Sequence, residues 1–263
     1  MPLPPILTHL FPRPLPYLRT LAVQNKIHAL QLEQRRADPE HAPDVLLLLQ
    51  HRPVYTAGRR QKVEDLQLER ARLEGIGADW VQTDRGGQTT YHGPGQLTAY
   101  PLLDLGRMKL PIRDYICQLE LSLREQLKTF HNLVHHPCEH TGVFLSPDIK
   151  IASIGVHVRH RLTTHGIAMN ITREPRSWFD QVVACGLDGV RAGSIEGGLG
   201  DTVERKVDIA KESHRFAEIL ARRLGRALHP LDQSHSALWE IVKDLERAAE
   251  AAGSWPTRPT NIN

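Results

Sequence analysis

Long apolar runs are missing from this sequence. The longest, Val45 to Leu49, falls far short of the roughly 20 residues a membrane-crossing helix needs and instead suits a buried strand. No membrane partner is therefore expected. Cysteine is scarce, limited to Cys117, Cys138 and Cys185. A low, odd count is not a disulfide framework; it fits a reducing compartment and leaves room for one reactive thiol. Net charge is small, +3, too little to argue for nucleic acid but compatible with an acidic protein partner steered by a basic surface. No acidic residue precedes Glu33, whereas Arg13, Arg19 and Lys26 do. That bias resembles a mitochondrial transit segment, although Pro2, Pro4, Pro5, Pro12, Pro14 and Pro16 would interrupt a targeting helix, so a mitochondrial location is expected slightly ahead of a cytoplasmic one. No secretory signal is expected. A Gly-x-Ser-x-Gly elbow is absent, which leaves a serine hydrolase without local support, and so is the Gly-Lys-Ser/Thr ending of a Walker loop.

What is present is a globular composition, 40% hydrophobic and 24% charged over 263 residues. Val23, Ile27 and Leu30 share one helical face. Asp44 to Gln50 and Leu97 to Leu103 read as strands. Tyr55 to Arg59 reads as a loop, Gln61 to Glu74 as a solvated helix, and Val81 to Gln96 as a glycine-rich loop or hairpin. Pro111 opens a helix in which Ile112, Ile116, Leu119, Leu123, Leu127 and Phe130 recur in steps of four or three. Lys150 to Ile171 alternates as two antiparallel strands turning near Arg159-His160, and Lys206 to Leu224 and Ser236 to Ala251 are helical. Without strict βαβ alternation the pattern predicts an α+β fold. Residues 1–263 are expected to form a single domain, with its core over about 17–230 and with 231–263 as a C-terminal helix and an unstructured tail from Gly253.

Three segments can carry chemistry. Arg85 to Gln96 packs glycines and a proline into a short stretch, and such loops either turn a hairpin or bring backbone N–H groups close to a ligand. Lys150 begins an apolar strand, where a lysine either reaches solvent or is drawn into a half-buried site. Cys185 follows Val182-Val183-Ala184 and precedes Gly186; it is either a small core residue or a nucleophile whose thiolate a nearby cation stabilises. Cys117 is expected in the core of its helix. His131, His135, His136, Cys138 and His140 crowd one stretch but lack a distant second ligand pair, so no metal is expected.

Taken together the segments resemble the lipoyl(octanoyl) transferase family. The matches are Arg52-Pro53-Val54-Tyr55-Thr56-Ala57-Gly58-Arg59, Arg85-Gly86-Gly87 through Tyr91-His92-Gly93-Pro94-Gly95-Gln96-Leu97, Lys150-Ile151-Ala152-Ser153-Ile154-Gly155, His165-Gly166-Ile167-Ala168-Met169-Asn170 and Ala184-Cys185-Gly186-Leu187. They run in the family's order, with the lysine 185 − 150 = 35 positions before the cysteine.

The resemblance implies a mixed β-sheet flanked by helices, like biotin and lipoate protein ligases (class II synthetase-like). It implies transfer of octanoyl from acyl carrier protein to the lysine of lipoyl domains, in 2-oxoacid dehydrogenase complexes and the glycine cleavage H protein, with no cofactor. Cys185 would form the acyl thioester and Lys150 would activate it. Arg85, Gly86, Gly87, Gln88, Thr89, Thr90, Tyr91, His92, Ser153, Ile154, Gly155, Gly166, Ile167 and Ala168 would bind the acyl chain. Two positions depart from the family pattern: Ala184 replaces a proline, and Gly193-Ser194 replaces a Thr-Ser pair. Rival readings are an ATP-dependent ligase on the same fold and a non-catalytic acyl-binding module.

Overall fold

The apolar run of Val45 to Leu49 forms a strand buried along its whole length, and the architecture is arranged around it. The computed structural model describes residues 3–39, 42–59, 67–182, 189–200 and 206–260. In chain order these hold β1 (Ile6–Leu10), α1 (Tyr17–Ala37), β2 (Asp44–Leu49), β3 (Val54–Ala57), α2 (Gln67–Gly75), β4 (Asp79–Gln82), β5 (Thr90–His92) and β6 (Gln96–Leu102). There follow α3 (Ile112–His131), β7 (Val143–Ser146), β8 (Ile149–Arg159), β9 (Leu162–Asn170), α4 (Pro175–Phe179), β10 (Arg191–Ala192) and α5 (Ile195–Gly198). Last come α6 (Ile209–Arg223), β11 (Leu228–Pro230) and α7 (Ser236–Ala251).

The main sheet runs β10-β8-β9-β6-β2-β1-β11, with β7 on β8. It is mixed: β2 is parallel to β1 and antiparallel to β6. Successive strand residues point to opposite faces, so β2 serves two cores at once. Leu46 and Leu48 join Leu119, Leu123 and Leu127 of α3 and Phe216 and Leu220 of α6. Val45, Leu47 and Leu49 join Val23 and Ile27 of α1 and Leu238, Val242 and Leu245 of α7. The α+β architecture of a mixed sheet flanked by helices is therefore as expected. The hairpin of β8 and β9 turns at His160 and Arg161, both with positive φ, where the alternation placed it. The Oδ1 atom of Asp208 caps α6 by accepting from the N–H groups of Ala210 and Lys211. Among the described residues no helix is long and apolar enough to cross a membrane.

Several expectations are corrected. Tyr55 to Ala57 is not loop: Val54–Ala57 is the middle strand of a second sheet, β4-β3-β5. The segment 81–96 is not a hairpin of its own, because β4 and β5 flank β3 instead of pairing with each other. Pairing with β3 overrides the glycine signal. The expected helix is described over Gln67–Gly75 as α2, and its earlier part lies outside the described residues. Cys117 is exposed, because Tyr115 and Leu119 take the core side of α3. Strand β1, hidden among prolines, was not anticipated. Residues 253–260 are held against the body: Arg52 donates to the carbonyls of Ala252 and Ser254 and lies 5.7 Å from the Trp255 ring centroid, and the Thr260 N–H reaches the Ile76 carbonyl.

Asp44, at the start of β2, is fully buried. Its Oδ2 lies 2.8 Å from Arg226 Nη1 and 2.7 Å from Arg107 Nη2, and its Oδ1 accepts the Asp104 N–H at 2.8 Å. This carboxylate joins β2, the turn after β6 and the segment after α6. Asp44→Ala leaves a buried guanidinium without its anion, and urea unfolding should show a loss of about 3–5 kcal/mol. A loss below about 1 kcal/mol would mean that the pair contributes little.

Candidate active site

A slot of about 460 Å³ lies along β8, and its volume is that of a small-molecule site. Lys150 stands at one end of its strand wall and Val156 near the other, six positions away (156 − 150 = 6), or about 20 Å at the rise of an extended strand. The wall continues in Gly166, Ile167 and Ala168 of β9, which pair with Gly155, Ile154 and Ser153. Arg85 to Gln88 run across the β8 edge, where the Gly86 N–H reaches the Val156 carbonyl at 3.4 Å. Of the residues expected at the acyl chain, Arg85, Gly86, Gly87, Gln88, Thr90, His92, Ser153, Ile154, Gly155, Gly166, Ile167 and Ala168 all line this slot. Thr89 and Tyr91 do not. Thr89 is buried, and the Tyr91 ring stacks on Trp178 and packs on Tyr55. Alternation along β5 turns Tyr91 away from its neighbours Thr90 and His92.

The slot also takes residues outside the expected acyl-binding set: Tyr17, Tyr100, Ile116, His140, Thr141, Val156 and His165. His165 was within a quoted motif, and its positive φ of 59° marks it as a special position. Tyr17 and Ile116 come from α1 and α3, far away in sequence, and only the tertiary fold brings them in.

Arg85 is nearly buried and braces its own loop. Its Nη2 donates to the Thr56 carbonyl, to Thr56 Oγ1 at 2.7 Å and to the Gln88 carbonyl at 3.0 Å, while Nη1 reaches the Gly86 carbonyl at 3.1 Å. Beside it lie buried imidazoles. His51 Nδ1 donates to the Leu15 carbonyl at 3.1 Å, and Nε2 accepts from the Tyr100 hydroxyl at 2.6 Å. Burial brings His51 down to about 4. Burial, with the Arg85 charge second, brings His165 down to about 3, and His92 is likewise held well below the usual imidazole value, mainly by burial. All three are neutral at pH 7.

At the other end Lys150 is half-buried, its Nζ 5.4 Å from the centroid of Phe144, its partner across β7 and β8. Gly142 makes room for it. A Cβ there would lie 2.7 Å from Lys150 Cε and 2.5 Å from the Ala152 carbonyl, and its φ is +124°. The Gly193 N–H donates to the Lys150 carbonyl at 2.8 Å, and β10 is paired in register at Ala192 and Lys150. Gly193, the departure from the family pattern, is explained locally: a Cβ there would lie 2.5 Å from Ile149 Cγ2. Cys185 and Ala184 lie outside the described residues. Of the segments flanking them, Val182 packs with Tyr55, Tyr91 and Trp178, and Val190 to Ala192 lie beside Lys150 around a small cavity.

The histidine-rich stretch has other work. His131 Nε2 is 3.0 Å from Glu212 Oε2, and the His136 N–H bonds the Phe144 carbonyl at 2.7 Å. Among the described residues no group of three or more His, Cys, Asp or Glu could hold a metal.

The lipoyl protein ligase A/B catalytic-domain family model matches residues 16–221. The chain belongs to this family. Its relatives include the octanoyl-[acyl-carrier-protein]:protein N-octanoyltransferase LIPT2, mitochondrial, of Danio rerio, 38% identical over 73% of this chain and 84% of that protein. An octanoyltransferase of Xanthomonas euvesicatoria is 36% identical over 81% of this chain and 87% of its own. This lipoyl ligase A/B family member is, like them, an acyltransferase. In fold it is similar to a chain from the structure of a bi-partite lipoate protein ligase and its E2 lipoyl domain from Thermoplasma acidophilum, with TM-score 0.61 at 14% identity over 93% of each chain. It is similar also to lipoate-protein ligase A bound with ATP, with TM-score 0.59 at 13% identity over 95% of this chain and all of that one.

Two predictions follow for this family member. An unfolded imidazole titrates near 6.5, and His51 and His165 titrate near 4 and 3 when folded. Between pH 6.5 and 4 the unfolded chain binds more protons, so stability falls with pH, by at most about 1.4 kcal/mol per pH unit for each group. Thermal unfolding between pH 7 and 4 should show the fall, and His51→Gln, which can still donate and accept, should flatten it. Gly142→Ala should push Lys150 aside and lower acyl transfer on the order of a hundredfold, since misplacement by about 1 Å has that effect. Full activity in a folded Gly142→Ala enzyme would show that the lysine position does not matter.

Proposed function

We propose that this acyltransferase moves octanoyl from octanoyl-acyl carrier protein to the lysine of a lipoyl domain through a thioester on Cys185. The observation that carries the reading is Lys150: an amine held at the end of an acyl-sized slot, on a strand paired with the one that follows the cysteine segment. The names of the relatives supply the donor and the acyl group. The slot residues of β8, β9 and the Arg85 loop would hold the chain, with Thr89 and Tyr91 supporting that loop from behind.

The chemistry needs no activation by nucleotide. The Cys185 thiolate attacks the carrier thioester carbonyl, the carrier C–S bond breaks, and the carrier arm leaves as a thiol after taking a proton. The lysine amine of the lipoyl domain then attacks the new thioester. The Cys185 C–S bond breaks, an amide forms, and a proton passes from nitrogen to the thiolate. Lys150, cationic, would stabilise the thiolate and could carry those protons. The thioester stores the acyl group at nearly the energy of its donor, so both steps proceed without ATP. A mitochondrial location is part of the proposal, as are the lipoyl domains of 2-oxoacid dehydrogenase complexes and the glycine cleavage H protein as acceptors.

The test is intact-mass analysis. After incubation with octanoyl carrier protein and removal of the carrier, the enzyme should carry one octanoyl group, sensitive to hydroxylamine, mapped to Cys185 and discharged by a folded lipoyl domain. Cys185→Ser should carry none while keeping the fold. Transfer that strictly requires ATP would favour a ligase, and retained binding without any adduct would favour a binding module; either overturns the reading.

A further inference from the structure

Behind the slot runs a chain of side-chain amides that belongs neither to the acyl wall nor to the nucleophile. Gln96 and Asn170 are paired in register on β6 and β9 and are almost fully buried. Asn170 Nδ2 donates to the Gly193 carbonyl at 2.8 Å. Gln96 Nε2 donates to Asn170 Oδ1 at 2.9 Å and to the Tyr91 carbonyl at 3.3 Å. Gln96 Oε1 is 2.8 Å from His92 Nδ1. The Gly193 N–H in turn holds the Lys150 carbonyl.

The direction of this chain is forced from one end. A backbone carbonyl only accepts, so Asn170 must present its NH₂ to Gly193. Its oxygen then faces Gln96, which must present its own NH₂, and the Gln96 oxygen is left for His92. His92 therefore carries its proton on Nδ1 and keeps Nε2 as a lone pair. Each member is satisfied, so reversing any one would leave a buried polar group unpaired. Gly193 has no side chain to hold its own position, and Gly189, on the same side of the described gap, has open space around it.

We propose that Asn170 is a positioning residue for the transfer reaction: through Gly193 it holds the strand pair that carries Lys150, and through Gln96 it fixes the His92 imidazole of the slot wall in its Nδ1–H form. This rests on the transfer reading above. Asn170 does not touch the reacting atoms; it ties the two ends of the site to one buried amide.

Two variants separate the two ends. Asn170→Asp still accepts from Gln96 but cannot donate to Gly193. Asn170→Ser is too short to do either and buries no charge. Imidazole ¹⁵N spectra of the labelled enzyme should show His92 as the Nδ1–H tautomer in wild type and in Asn170→Asp, and should lose that preference in Asn170→Ser. In steady-state assays Asn170→Asp should lower kcat about tenfold or more while the donor KM stays within about twofold. Asn170→Ser should also raise KM. An Nε2–H tautomer in the wild-type spectrum overturns the proposal before any variant is made. So does wild-type kcat in either folded variant, or an unchanged His92 tautomer in Asn170→Ser. Should Asn170→Asp not fold, Asn170→Ser and the wild-type spectrum decide. The spectra need no substrate, so absence of octanoyl transfer by the wild-type enzyme would be a failure of the transfer reading alone.

Discussion

The register of β8 against β9, from Ala152 opposite Met169 to Arg159 opposite Leu162, is the constraint on which the site depends. Side chains alternate across a strand, so a slip by one residue would reverse the facing of each pair and break the match of Ser153, Ile154 and Gly155 with Ala168, Ile167 and Gly166. Burial prevents the slip: Ile151, Ile167, Met169 and Ala152 sit in the core under α3 and α6. The same pairing sets Gly155 beside Gly166 on the slot wall and leaves Lys150 beyond the end of the β9 pairing, where β7 and β10 take over as its neighbours. The lysine thus gets its place from strands on both sides of β8 and its freedom from Gly142.

The electrostatics of the slot are divided in the same way. Near Val156 the buried groups are neutral imidazoles and tyrosines, with one guanidinium whose donors are taken up by backbone carbonyls. Burial keeps those imidazoles uncharged, and the Arg85 charge works in the same direction on His92 and His165. Uncharged imidazoles and tyrosines can face an apolar chain without a desolvated charge against it, and the Arg85 charge is met by the Thr56, Gly86 and Gln88 oxygens of its own surroundings. Lys150 is instead half-buried, its Nζ over the face of the Phe144 ring. An amine at one end and uncharged side chains along β8 and β9 suit a ligand that is polar at one end and apolar along its length.

Most of the scaffold was legible in the sequence because it obeys local periodicity. The leucine run of β2, the stepped apolar face of α3 and the alternation of the β8–β9 hairpin each follow from side-chain spacing. The errors fall where tertiary contact overrides local preference. Tyr55 to Ala57 looks like loop beside Gly58, yet it pairs on both edges. Cys117 sits one step off the buried face of α3. Trp255 reads as part of a free tail because nothing in its neighbourhood reveals Arg52, two hundred residues away (252 − 52 = 200 to the Ala252 carbonyl). At the site the motifs located most of the wall but counted Tyr91, whose side chain alternation turns inward, and missed Tyr17 and Ile116. Motif reading groups residues that are adjacent in sequence, whereas a slot is lined by those that are adjacent in space.

Fold likeness alone does not decide the chemistry of this chain. Its architecture is shared, at 13–14% identity, with proteins whose names describe ligases, one of them bound with ATP. The sheet and its helices can therefore present a slot to either kind of reaction. What differs must lie in a few groups placed on that frame. A ligase needs a place for a nucleotide and no thiol; a transferase needs a nucleophile with a cation beside it and an entrance wide enough for two protein partners in turn. Under the proposed function Lys150 would meet the second requirement: its strand is braced through Gly193 and Asn170, and Gly142 leaves room for its side chain. On the proposed reading, the half-buried place of this lysine, instead of release to solvent at the strand end, is what a reaction drawing on its amine would require.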